Sequence, residues 1–304
     1  MKRIKFFAAL ITLILGVPLF AAGKLKVVTT IADLASITQE VGGDRVDVTS
    51  VAKGYQDPHF VEPKPSFLLL LRNADLLEVV GLELEIGWLP PLLEQSRNDK
   101  IRVGARGYLD VSQGVEILDK PTASVNRSMG DVHPMGNPHF WLDPANAVRI
   151  AIQVENRLAE LRPADTKYFE QRLNDFKIRI NNANKRWTAA MAPYRGAKIV
   201  TYHNSWPNFA KHFGLNVVGY VEPKPGVPPS PSHTLELIQL MKAQGVKVIA
   251  MEPYFDIKTP QSVAEQTGAK VVILYPSVGG ARSGTDDYFK LFDVNIANLT
   301  KALK

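Results

Sequence analysis

The chain has 304 residues, 45% of them hydrophobic, with 36 basic against 30 acidic side chains and no cysteine. That length exceeds what a single hydrophobic core usually serves and predicts two lobes, while the lack of cysteine excludes a disulfide scaffold. The charges are dispersed, with no basic run of the kind that grips nucleic acid.

Residues 1–22 read as a secretory signal peptide. Lys2, Arg3 and Lys5 precede an apolar run from Phe6 to Phe20, and the small residues Ala21, Ala22 and Gly23 follow. No later stretch is long enough to span a membrane. Without a cysteine to carry a lipid, the expected product is a free periplasmic monomer that is not inserted in the membrane. Loss of the three basic residues leaves 33 basic against 30 acidic side chains.

Strands are predicted at 24–31, 46–52, 76–80 and 100–104, with helices at 32–41 and 66–73 between them. This alternation indicates parallel β-α units. The second half repeats the order, with strands at 198–202, 216–221 and 246–251 and helices at 206–213 and 235–243. A shared pentapeptide, Val61-Glu62-Pro63-Lys64-Pro65 and Val221-Glu222-Pro223-Lys224-Pro225, follows the second strand of each half. Between the halves, Phe169, Leu173, Phe176, Ile180, Ala183, Trp187 and Met191 recur at spacings of four and three, one apolar stripe on a helix. The expected fold is α/β: an N-terminal lobe over 23–162 and a C-terminal lobe over 192–304. Each is a mainly parallel sheet flanked by helices, and one long rigid helix over 163–191 bridges them.

Two Pro-His-Phe segments stand out. Asn137-Pro138-His139-Phe140-Trp141-Leu142-Asp143-Pro144 holds a histidine in a stiff turn, with Asp143 placed to cap a helix that starts at Pro144. Asp57-Pro58-His59-Phe60 presents another histidine 80 residues earlier, in a loop after the second strand. His203, in Thr201-Tyr202-His203-Asn204, follows the first strand of the second half. Ligands of open α/β sheets sit beyond the carboxyl ends of strands, so all three imidazoles can face a cleft between the lobes. Such a set suits zinc, with copper or nickel chemically possible; three unrelated structural histidines are the plainer alternative.

The chain resembles the solute-binding proteins of bacterial ABC importers for zinc, manganese or iron. The resemblance runs from Leu25 to Leu303 through Asp57-Pro58-His59, Pro138-His139-Phe140-Trp141-Leu142-Asp143-Pro144, Tyr202-His203, Glu252-Pro253 and Glu265-Gln266-Thr267-Gly268-Ala269. It implies one divalent metal in the inter-lobe cleft, held by His59, His139 and His203 and delivered to a membrane ABC permease. The implied cargo is Zn2+, with Mn2+ or iron as the alternative, and the implied chemistry is coordination without catalysis. Two departures matter. Where the family often has an aspartate ligand this chain has Tyr275-Pro276-Ser277, which leaves the fourth position to water, Glu252 or Asp57. The long metal-collecting loop of the zinc receptors is reduced to Met129-Gly130-Asp131-Val132-His133-Pro134-Met135, read as an ordinary mobile loop.

His212 and His233 are expected at helix positions away from the metal, and Glu252 is an alternative second-layer carboxylate that orients an imidazole. The rival from another class is a periplasmic zinc hydrolase, since three histidines plus water also describe catalytic zinc. Against it, the chain lacks His-Glu-x-x-His, His-x-His and any segment that clearly supplies a general base.

Overall fold

The computed structural model describes residues 23–123, 130 and 132–304, so the signal-peptide reading of 1–22 lies outside the described residues. In the first half, β1 (Leu25–Thr29), β2 (Val46–Ser50), β3 (Leu76–Val79) and β4 (Tyr108–Asp110) form one parallel sheet in the order β2-β1-β3-β4. The second half builds β5 (Lys198–Thr201), β6 (Asn216–Tyr220), β7 (Val248–Met251) and β8 (Lys270–Ile273) in the equivalent order β6-β5-β7-β8, again all parallel. The duplication suggested by the shared pentapeptide is therefore a duplication of topology.

The helices are α1 (Ala32–Gly42), α2 (Pro65–Asn73), α3 (Leu89–Ser96), α4 (Pro144–Leu161), α5 (Thr166–Met191), α6 (Pro207–Phe213), α7 (Pro231–Gln244), α8 (Lys258–Thr267) and α9 (Tyr288–Leu303). Among the described residues no helix is long and apolar enough to cross a membrane. The strand expected at 100–104 is not one. Asp99–Ile101 is a 3-10 turn, Val103 is exposed, and the fourth strand starts eight residues later than expected, at Tyr108. Gly107 explains the shift: a Cβ there would meet the carbonyl oxygens of Asp75 and Lys100 at 2.5 Å, so the chain crosses this tight corner before it can pair with β3.

All seven stripe residues of α5 are buried, and the helix packs on α1 and α4 of the first half and on α9 of the second. Its 26 residues give a length of about 39 Å at 1.5 Å per residue. The buried side chains around it form one cluster that includes Leu34 and Phe140 from the first half and Phe209, Tyr288 and Phe292 from the second. The outer face of each sheet has its own smaller core, around Leu77 and Trp88 in one and Val200 and Ile249 in the other. Both sheets are thus covered on both faces, as parallel sheets require.

Polar contacts reinforce the junction. Trp141 Nε1 donates to the Pro276 carbonyl at 2.8 Å, Ser277 Oγ donates to Asp33, and Tyr288 N donates to Ser36 Oγ at 3.0 Å. At Gly54, ahead of His59, an added Cβ would sit 1.9 Å from the Val278 carbonyl oxygen of the other half. Burial pushes the Asp33 carboxyl up to about 7, with the Ser277 and Val278 donors acting against it.

The α5 stripe carries a direct test. Phe176→Ala is expected to cost about 3–5 kcal/mol of unfolding free energy through the cavity it leaves. Ile178→Ala, two positions on and 61% exposed, is expected to change stability by no more than about 0.5 kcal/mol. Denaturant titrations of both variants measure the contrast; similar losses would mean that the stripe is not the centre of the core.

Candidate metal centre

Each of the three expected histidines stands on a loop at the carboxyl end of its sheet or at the start of a helix. His59 lies in the turn after β2, where its own backbone N–H donates to Asp57 Oδ1 at 3.0 Å and Trp88 Nε1 donates to the Pro58 carbonyl at 2.9 Å. His139 precedes the turn Phe140–Leu142 that leads into α4, whose N-cap is Asp143, accepting from Ala145 N, with Pro144 first in the helix. His203 follows β5, and Thr201 Oγ1 donates to its carbonyl at 2.8 Å. Next along the chain, Trp206 Nε1 donates to Glu252 Oε1 at 2.9 Å. Three of the four tryptophans therefore spend their indole N–H on fastening the loops of this site.

The three rings meet. Their centroids are 5.2 Å apart for His59 and His139, and 5.4 Å from each of these to His203. One potential ligand atom from each lies within 4.8 Å of the others, and among the described residues no carboxylate joins that group. His139 is 2% exposed, His203 7%, and the His59 side chain 8%, which sets them apart from surface histidines.

The Nδ1 atoms explain how the rings are aimed. His59 Nδ1 donates to Asp57 Oδ1 at 2.8 Å, His139 Nδ1 to Asn137 Oδ1 at 3.0 Å, and His203 Nδ1 to Glu222 Oε2 at 2.8 Å. With Nδ1 protonated and held, each neutral ring presents Nε2 as a lone-pair donor, the tautomer a metal needs. His59 Nε2 is buried with no hydrogen-bond partner, a costly state for a polar atom unless a ligand completes it.

The carboxylates are arranged to suit a cation. Burial works to raise Asp57, but the hydrogen bonds from His59 and the charges of His59 and His203 hold it below the usual aspartate range. Burial pushes Glu252 up to about 7, opposed by His203 and by the Trp206 donor. Glu252 was one option for orienting an imidazole; instead it holds Trp206, and Glu222 orients His203. Glu222 was not singled out from the sequence, although it sits in the repeated pentapeptide. Its counterpart Glu62 is exposed, because the first half uses Asp57 for the same task.

The remaining histidines divide. His212 has both ring nitrogens engaged, Nδ1 with Asp143 and Nε2 with Asn184, each at 2.7 Å. His233 lies in the first turn of α7, where Ser230 Oγ accepts its N–H and its Nε2 meets the Tyr220 carbonyl at 3.0 Å. His133 belongs to a turn whose neighbours 124–129 and 131 lie outside the described residues, and burial pushes its pKa down to about 4. It lines a cavity of about 300 Å3 together with His139, His203, Asn204, Glu222 and Lys224.

The model of the ZnuA family, the periplasmic component A of a zinc-uptake complex, matches residues 27–302. The chain belongs to that family. The zinc-binding protein AdcA of Streptococcus pyogenes serotype M3 is 25% identical over 289 residues, covering 92% of this chain and 56% of the relative. The chain thus spans about half the length of AdcA. The manganese ABC transporter substrate-binding lipoprotein PsaA of Streptococcus anginosus is 24% identical, covering 92% of this chain and 89% of the relative. Among solved structures, a crystal structure of ZnuA matches with a TM-score of 0.76 at 25% identity, covering 92% of this chain and all of the other. A Mn-bound periplasmic metal-binding protein from Candidatus Liberibacter asiaticus shares the fold, with a TM-score of 0.75 at 21% identity, covering 92% of this chain and 100% of that one.

An orienting carboxylate is tested by removal. Glu222→Ala is expected to weaken zinc binding by about 10–100-fold, the usual cost of losing a partner behind a metal ligand. Glu62→Ala, at the matched position of the other half, is expected to leave it unchanged. Competition titration with a chelator separates the two, and equal affinities would remove Glu222 from the site.

Proposed function

We propose that this chain captures a divalent metal ion, zinc in the first place, in the cleft between its lobes and presents it to a membrane ABC permease. The observation that carries the reading is the convergence of three imidazoles whose Nδ1 atoms are all held by oxygen acceptors. In this reading the first lobe, 23–162, supplies His59 and His139, the second, 192–304, supplies His203, and the helix 163–191 keeps them in register. Zinc accepts three nitrogen ligands and a fourth donor in tetrahedral array, with Zn–N about 2.0–2.1 Å. Manganese prefers harder oxygen donors, and here the family's usual aspartate position is Pro276, whose carbonyl is engaged by Trp141.

The ligands come from both lobes, so a permease contact that loosens His203 from His59 and His139 breaks the coordination shell without parting the shared core. That supports release through docking. The same arrangement favours a receptor over a hydrolase. Asp57 and Glu222 are committed to His59 and His203, which leaves neither free to act as a general base. We place the mature protein in the periplasm as a monomer, with the segment 1–22 removed.

His59→Ala, His139→Ala and His203→Ala are each expected to weaken zinc binding by at least about tenfold, while His212→Ala leaves it intact. Calorimetry on the four variants tests this, and wild-type affinity in all three triad variants would dismiss the site.

The pH dependence has a defined direction. Burial disfavours the charged form of His203, but Glu222, Glu252 and Asp57 outweigh it and hold its pKa above the ordinary histidine value. Burial, joined by the neighbouring imidazoles, pushes His139 well below that value. Metal affinity is therefore full above the raised pKa of His203 and falls as the pH drops through it, with His139 adding competition only at lower pH. Each competing proton weakens binding by about tenfold per pH unit. Zinc affinity that stays constant between about pH 8 and pH 5 would mean that the ligands are not these histidines.

A further inference from the structure

The two halves press together at a seam beside the metal site, where backbone meets backbone. Gly54 lies in the loop after β2, five residues before His59. A Cβ added there would sit 1.9 Å from the Val278 carbonyl oxygen, 2.6 Å from the Gly279 carbonyl carbon and 2.6 Å from Gly280 N. All three atoms are main chain, so no side chain can swing aside to make room. Gly54 does not have a positive φ, so it is space and not backbone conformation that requires glycine here. Gly280 faces it from the second half, with its own Cβ position 3.1 Å from the Gly54 carbonyl oxygen.

Both sides of the seam are braced. In the second half, Gly279 N donates to the Thr285 carbonyl at 2.6 Å, Gly280 N to the Ser277 carbonyl at 3.0 Å, and Ala281 N to Thr285 Oγ1 at 3.0 Å. Both ligand-bearing loops of the first half rest on residues 276–280. The His59 loop does so through Gly54, and the His139 loop through Trp141, whose indole N–H donates to the Pro276 carbonyl at 2.8 Å. Asp33 clamps the same residues by accepting from Ser277 Oγ and from Val278 N at 3.2 Å. Between Gly54 and His59 there is little slack. Gln56 N donates to the Lys53 carbonyl at 2.8 Å, Lys53 N donates to Gln56 Oε1 at 2.9 Å, and Asp57 accepts from both the backbone N–H and Nδ1 of His59.

We propose that Gly54 is a positioning residue of the metal site: by letting the two backbones meet, it sets how far His59 stands from His203 across the cleft. The proposal rests on the metal-capture reading above. Residues 276–280 supply no side chain to the ligand group; they are the rest against which His59 and His139 are both placed. An alanine Cβ at position 54 forces the seam open by about 1 Å before it reaches an acceptable contact. A binding constellation tolerates only about 0.5 Å of error, so that displacement is felt at the metal. It also has a direction. Zinc forms short bonds to imidazole, about 2.0–2.1 Å. Cd2+, a larger d10 ion that accepts the same rings, fits a wider set better, so the closeness of the seam selects by ion size.

Gly54→Ala and Gly87→Ala in the full chain provide the test. Gly87 stands beside the same loop, but a Cβ there would meet only the His59 carbonyl oxygen, at an ordinary 3.6 Å. By chelator competition, zinc affinity is expected to fall by about tenfold or more in Gly54→Ala and to stay unchanged in Gly87→Ala. The zinc-over-cadmium ratio is expected to shrink in Gly54→Ala, a change that loss of stability alone does not produce. Ser277→Ala takes a hydrogen bond from the seam without adding bulk, and is expected to shift affinity and ratio in the same direction by less. A folded Gly54→Ala with the ratio of the unaltered protein would overturn the proposal, as would an unshifted Ser277→Ala should Gly54→Ala fail to fold; either result leaves the triad standing. Failure of the unaltered protein to hold stoichiometric zinc would overturn both this proposal and the reading beneath it.

Discussion

The packing of α5 into a single core shared by both halves is the constraint on which the rest depends. Phe169, Phe176, Ile180 and Trp187 are buried in the same cluster as Leu34 and Phe140 on one side and Phe209 and Phe292 on the other. A strand linker would let two lobes swing; a helix buried along its whole stripe does not, because opening would expose large aromatic surface. The distance between the loop ends of the two sheets is set by this core. Three histidines from two separate sheets can therefore meet at centroid distances that differ by only 0.2 Å.

On that frame the site is assembled by small polar devices. Each imidazole is turned by an acceptor on its far nitrogen, and each loop is fastened by an indole N–H. The two halves reach the same end with different residues. The first uses Asp57, two residues before its histidine, whereas the second uses Glu222, 19 residues after. Duplicated topology, followed by divergence of the loops, accounts for this: parallel sheets place their carboxyl-end loops side by side whatever the loops contain.

Much of the fold was legible because its signals are local. The alternation of strand and helix, the seven-residue stripe of α5, the cap at Asp143-Pro144 and the proline-framed histidines are all short-range patterns. Where the reading of 100–104 went astray, Ile101 and Val103 mimic strand alternation, but Val103 points to solvent and the corner at Gly107 determines where pairing begins. Glu222 escaped notice for a related reason. Its pentapeptide recurs with Glu62, which is exposed, and nothing within the segment says which copy faces a histidine.

The sequence by itself determined much of the secondary-structure order, the duplication, the linking helix and the loop-end positions of His59, His139 and His203, while their reading as one ligand set came from the family resemblance. Those elements and positions follow from periodicity, capping and residue chemistry, which operate within a few neighbours along the chain. Only the tertiary structure decided that the three rings form a near-equilateral set, that Glu222 turns His203, that Glu252 serves Trp206, and that the ring of His133 lies beside that of His59. Those contacts join residues that lie far apart in the chain, and their partners are fixed by the relative placement of two sheets, a quantity that no local pattern encodes.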